Sequence, residues 1–155
     1  MAVLNEHIRS ILSEPETLKL LATVSPDGIP HAAFKGTLRA EGDELVYYDL
    51  LQSSDTNKNL VHAIWYDRTV SVTILSKNRE VYQILGKPDR CITAGREFED
   101  TYRALNKKFG DTDLNAIWYI RPEKIRDNSL KARREFEKEN FDILTKLDSI
   151  LKENK

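Results

Sequence analysis

The chain has 155 residues, 40% of them hydrophobic and 32% charged, with a formal net charge of −1. That length suits one domain with a substantial core, and so balanced a charge excludes the basic excess that nucleic acid or an anionic membrane surface attracts. One cysteine, Cys91, excludes an internal disulfide framework; with no membrane-length apolar run and no signal-peptide layout at the N-terminus, a soluble cytoplasmic protein is expected.

Leu4, Ile8, Ile11 and Leu12 recur at helical spacing, which predicts a short amphipathic helix over about 3–14, stopped by Pro15. Residues 17–24 read as a strand, and Ser25-Pro26-Asp27-Gly28 as a hairpin turn in which Gly28 supplies a positive φ. A second strand is expected from about Ile29 to Arg39, then a turn at Glu41-Gly42-Asp43 and a third strand over Glu44–Asp49. Residues 52–59 are wholly polar. A helix of two or three turns follows, with Asp55 as its expected N-cap and Trp65 expected in the core.

Strand signals return at Thr69–Leu75 and again at Glu80–Ala94, where Gly86-Lys87-Pro88 marks a bend or bulge. Residues 96–109 read as a helix with a stripe of Phe98, Tyr102, Leu105 and Phe109. A last strand is expected over Leu114–Ile120, ended by Arg121-Pro122. The chain then closes in a charged helix over about 130–152 with Phe141, Leu144, Leu147 and Leu151 on one side. Strands joined mainly by hairpins argue against a doubly wound parallel sheet and for a closed or split antiparallel barrel with peripheral helices.

Three segments, taken in order, resemble one family. LATVSPDGIPHAAFKGTL (Leu21–Leu38), DTNKNLVHAIWYDRTVSVTI (Asp55–Ile74) and WYIRPEKIR (Trp118–Arg126) are similar to the opening hairpin, middle segment and closing strand of the pyridoxamine 5′-phosphate oxidase-like, FMN-binding proteins. The likeness runs over residues 17–126. It implies a six-stranded antiparallel split β-barrel with peripheral helices, and FMN at the interface of a homodimer. Carried over, it implies ring contacts from His31, Ala32, Ala33 and Lys35, then Tyr48 and Asp49. Phosphate contacts would come from Ser53, Ser54, Thr56, Asn57 and Lys58, with Trp118 near the ring. The implied activity is that of an FMN-dependent small-molecule oxidoreductase, or else of a non-enzymatic flavin, haem or deazaflavin binder.

The phosphate loop departs from the family where it reads Ser54-Asp55-Thr56-Asn57-Lys58, an acid standing where many members carry adjacent cations. The residues themselves admit two readings here: an ordinary capped helix start, or a helix N-terminus whose free amides, hydroxyls and lysine hold a phosphate. Lys35 is likewise either a solvated strand residue or a ring contact that shares a face with His31 and Ala33. Tyr47 and Tyr48 alternate, so at most one is expected in a pocket on that strand. His7, His31 and His62 have no metal-ligand spacing, and no metal is expected.

Overall fold

In a computed structural model, residues 3–153 are described, apart from the side chains of 142–146 and 148. Helix α1 (Glu6–Ser13) is shorter than its expected span and is capped by Asn5, whose side chain accepts from the Ile8 amide at 2.9 Å. Its predicted stripe of Leu4, Ile8, Ile11 and Leu12 is buried and joins the main core. The hairpin β1 (Leu18–Val24) and β2 (Pro30–Phe34) turns at Gly28, with φ of +80°, where a side chain would be strained.

Next come β3 (Arg39–Glu41), β4 (Glu44–Asp49), α2 (Asp55–Trp65), β5 (Val70–Leu75), β6 (Val81–Ile92), α3 (Arg96–Phe109) and β7 (Ala116–Asp127). The strands form one antiparallel sheet in the order β2-β1-β5-β6-β7-β4-β3.

The antiparallel sheet with peripheral helices matches the expected class, but it has seven strands where six were expected, and its ladder is not closed. The difference arises within the strand expected over 29–39. Lys35 N donates to Lys19 O at 2.8 Å, the last tie to β1. Two residues on, the Thr37 hydroxyl donates to Tyr48 O at 2.9 Å and accepts from Tyr48 N at 3.2 Å. A side chain thus takes the place of a ladder rung. The chain crosses from one sheet edge to the other and resumes as β3 beside β4. The two edges are therefore joined by the backbone of Lys35–Leu38 rather than by strand pairing.

The bend expected at Gly86-Lys87-Pro88 appears as two register shifts between β6 and β7. A Cβ on Gly86 would lie 2.6 Å from Arg121 O, so only glycine fits the approach. This irregularity also explains why β7 does not end at Pro122, as the sequence implied. Pro122 stands opposite Gly86 at the shift, where its missing N–H breaks no regular rung, and pairing continues to Asp127.

Other boundaries move for local reasons. Ser54, not Asp55, caps α2, its hydroxyl accepting from the Asn57 amide at 3.1 Å. Asn59 locks α2 onto β1 through a buried 3.0 Å bond from its Nδ2 to the Thr23 hydroxyl. Trp65, expected in the core, is 79% exposed at the end of that helix.

Helix α3 has its expected bounds, yet only Leu105 of its stripe is buried, with Phe98 packed beside it and Tyr102 and Phe109 exposed. The single helix expected over 130–152 is two, α4 (Leu130–Asn140) and α5 (Asp142–Glu153), broken at the extended Phe141. Of its stripe, Phe141, Leu147 and Leu151 are exposed, and the Leu144 side chain lies outside the described residues.

The alternation of β4 and β7 sorts the interior. Leu45, Tyr47, Ala116, Trp118 and Ile120 face the main core, while Val46, Ile117 and Tyr119 face a second cluster with Leu105 of α3.

Candidate functional site

Where β4 ends, a cavity of about 340 Å³ opens between β2, the Lys35–Leu38 crossing and the start of α2. Its size falls in the ~300–1,000 Å³ range of ligand pockets. Of the residues read as site candidates, it brings together His31, Ala33, Lys35, Tyr48, Asp49, Ser54 and Thr56. Ala32, exposed on the outward face of β2, lies outside the lining, which Phe34 of that face joins at the strand's end. Ser53 and Lys58 are exposed beyond the lining.

Asn57 and Trp118 are committed to each other: the indole, 1% exposed, donates from Nε1 to Asn57 Oδ1 at 2.8 Å. Both lie outside the lining.

The chemistry of the cavity centres on Lys35, Tyr47 and Asp49. The Lys35 ammonium lies 5.0 Å from the Tyr47 ring centroid. Burial lowers its pKa below the usual lysine value, and the charge of Asp49 opposes that shift. Burial first, then the charge of Asp49, pushes the Tyr47 phenol well up; a hydrogen bond with Ser54 pulls the other way, and one with the Asp49 carboxylate adds to the rise. Tyr47 and Asp49 share one face of β4, a period-two relation that was present in the sequence. Tyr48 lines the cavity too, so the expectation that at most one tyrosine could do so is corrected. The space wraps around the end of the strand and reaches both faces.

Two atoms in this lining have no hydrogen-bond partner although both side chains are 1% exposed: Asp49 Oδ2 and the Thr56 hydroxyl. The other Asp49 oxygen accepts from the Leu51 amide at 3.2 Å. Buried polar atoms are rarely left unpaired, because desolvation without a bond costs about 1–3 kcal/mol. Both orphans belong to residues of the cavity lining.

Beyond Gly36, Thr37 and Tyr48, which line both spaces, lies a larger groove of about 930 Å³ between α1, β3 and α3. Lys19, Arg39 and Lys108 line it among Leu12, Leu38, Leu105 and Phe109. Burial, then the charge of Arg39, lowers the Lys19 pKa. Among the described residues, no three His, Cys, Asp or Glu side chains converge as metal ligands, and no helix is long and apolar enough to cross a membrane.

No family profile and no curated protein matches the sequence. Solved structures do match in fold. HupZ of Group A Streptococcus superposes with a TM-score of 0.67 at 18% identity, over 82% of this chain and 95% of its own. A putative pyridoxamine 5′-phosphate oxidase from Listeria innocua gives 0.61 at 20% identity, over 80% and 97%. An FMN-binding protein from Syntrophomonas wolfei gives 0.59 at 15% identity, over 79% and 84%. The chain therefore has the fold of the pyridoxamine 5′-phosphate oxidase-like, FMN-binding proteins, as the three sequence segments implied.

FMN can be tested against this cavity in two halves. The ring half fits: small Ala33 and Gly36 leave room beside the strand, the Tyr47 ring faces inward, and Lys35 and Asp49 offer a donor and an acceptor to a polar ring edge. The phosphate half does not fit. Ser54 accepts from the Asn57 amide and also bonds the Tyr47 phenol, Asn57 is held against Trp118 outside the lining, Lys58 stands 4.0 Å from the Asp55 carboxylate, and Asp55 itself lines the cavity.

Proposed function

We propose that this chain binds a flavin-type ring in the Lys35–Tyr47–Asp49 cavity and works as a small-molecule oxidoreductase. The supporting observation is the pair of orphaned atoms, Asp49 Oδ2 and the Thr56 hydroxyl, beside the small Ala33, the Tyr47 ring and a half-buried lysine. A bound isoalloxazine would supply the redox chemistry, and the protein would position it and exclude water. The adjoining groove has room for a second small molecule; although Arg39 is paired with Glu41 and Glu14 also lines it, Lys19 and Lys108 favour an anionic one.

Homodimerisation is part of the same reading. Alternation along β1 and β2 turns Leu18, Val24 and Phe34 outward, and all three are exposed, Phe34 by 68%. Phe34 also lines the cavity, so a second copy packed on this apolar face would close the ring site.

A carrier without turnover is the second reading, whether for a flavin, a deazaflavin or a haem. Asp49 beside the ring position favours it, since a fixed carboxylate opposes the negative charge that builds on a reduced ring.

The test is optical. The purified chain, incubated with riboflavin, FMN, coenzyme F420 or haemin and desalted, is expected to retain a flavin spectrum and to sediment as a dimer. Bleaching of that spectrum by NADH or NADPH supports the oxidoreductase, and a retained but unreactive flavin supports the carrier. A chain that stays colourless with every flavin refutes the ring site.

A further inference from the structure

The geometry points to a specificity: the cavity takes an isoalloxazine bearing an uncharged polyol tail in preference to the same ring ending in a phosphate. This rests on the flavin-ring reading above and goes beyond it to the choice of ligand.

The argument is an inventory of charge and of free hydrogen-bonding groups. Two cations serve this region, and each already faces a carboxylate. Lys35 lies over the Tyr47 ring under the influence of Asp49. Lys58 lies outside the lining, its ammonium 4.0 Å from Asp55 Oδ1 on the same turn of α2. His31, the remaining basic group of the lining, is four residues up β2 from Lys35, about 13 Å along an extended strand, too far for both to clamp one phosphate. A phosphate would bring up to two negative charges into a lining that contains Asp49 and Asp55 and holds no unmatched cation at the start of α2.

The uncommitted groups suit hydroxyls. Asp49 Oδ2 can only accept from a ligand O–H or N–H when ionised, and the Thr56 hydroxyl can both donate and accept. Both are buried at the lining, so a ligand that pairs with them recovers a desolvation cost the free protein bears. The Ser54 hydroxyl accepts from the Asn57 amide and bonds the Tyr47 phenol, so both its roles are taken within the protein. A ribityl chain, a row of hydroxyls with no charge, matches this set. The acidic tail of a deazaflavin cofactor and the propionates of a haem meet the same two carboxylates and are disfavoured with FMN.

The experiment titrates the full chain with riboflavin and with FMN, following the quenching of flavin fluorescence. Riboflavin is expected to bind about tenfold or more tightly than FMN. In Asp55→Lys, FMN affinity is expected to rise about tenfold or more while riboflavin affinity changes less than about threefold. In Thr56→Val, which keeps shape, riboflavin affinity is expected to fall several-fold with unaltered circular dichroism.

FMN binding as tightly as riboflavin to the unaltered chain overturns the specificity and leaves the ring site standing. An Asp55→Lys variant with an unchanged preference also overturns it. Failure of both flavins to bind removes the ring site itself, and the specificity with it.

Discussion

The two ends of the candidate site are built from similar residue types and put them to opposite use. At the β4 end, Lys35, Asp49 and Thr56 converge on the cavity, and two of their polar atoms are left unpartnered. Along the loop and first turn of α2, Thr56 apart, the polar side chains bond within the protein. Ser54 caps, Asn57 holds the Trp118 indole, and Asp55 meets Lys58. A serine, an asparagine and a lysine in a row therefore say little about binding until their partners are known. Availability, rather than identity, distinguishes a ligand contact from a structural one.

That comparison can be broken or sharpened by measurement. The largest effect belongs to Trp118→Ala, which empties a core position and strips Asn57 of its partner. A loss of about 3–5 kcal/mol by urea denaturation is expected. A loss under about 1 kcal/mol would show that Asn57 is not structurally committed and restore it as a ligand contact.

The sheet carries a pH signature. Tyr119, opposite Val46 on β4, is pushed up to about 12 by burial foremost, then by its hydrogen bond to Glu97. The neutral phenol is favoured by folding. Its contribution is therefore complete below the ordinary tyrosine range near 10 and is lost as pH rises through about 12. With Tyr47 raised as well, ultraviolet titration of tyrosinate is expected to show these two phenols ionising above the ordinary tyrosine range, and the stability they contribute being lost only above about pH 10. Six tyrosines titrating together near the ordinary value would contradict the packed wall.

Smaller still, Thr56→Val removes a hydroxyl that bonds to nothing in the fold. Stability is expected to hold or rise by up to about 1 kcal/mol while flavin affinity falls, the reverse of a structural threonine. The smallest effect is Lys58→Ala. Its ion pair is solvent-exposed, so denaturation is expected to shift by less than about 0.5 kcal/mol.

Local physics wrote much of the fold into the sequence. The α1 stripe, the turn at Gly28, the bounds of α3 and the irregularity at Gly86 follow from periodicity, φ preference and proline chemistry over a few residues. What sequence reading missed depends on distant partners. The strand break at Gly36-Thr37 exists because the Thr37 hydroxyl finds the backbone of Tyr48, eleven positions on. The continuation of β7 through Pro122 needs Gly86 opposite, and the exposure of Trp65 depends on where α2 lies on the sheet.

The site shows the same division. His31, Ala33 and Lys35 were legible as one face of a strand. The commitment of Asn57 to Trp118, sixty-one residues away, was not. Tyr47 was within reach, since its alternation with Asp49 places both on the side that the cavity meets.

The crossing at Lys35–Leu38 gives the sheet a seam. Everywhere else around the wall, neighbouring strands are zipped by several rungs, and at this one place the sheet's two margins are held by a short run of covalent chain and a threonine hydroxyl. Native-state openings begin where backbone bonding is sparsest, so amide exchange near Thr37 and Tyr48 should run ahead of the central strands. The cavity and the groove both border that seam. A molecule seated in either one acts as a rivet across it, and slower exchange at these amides would report occupancy before any colour or catalysis did.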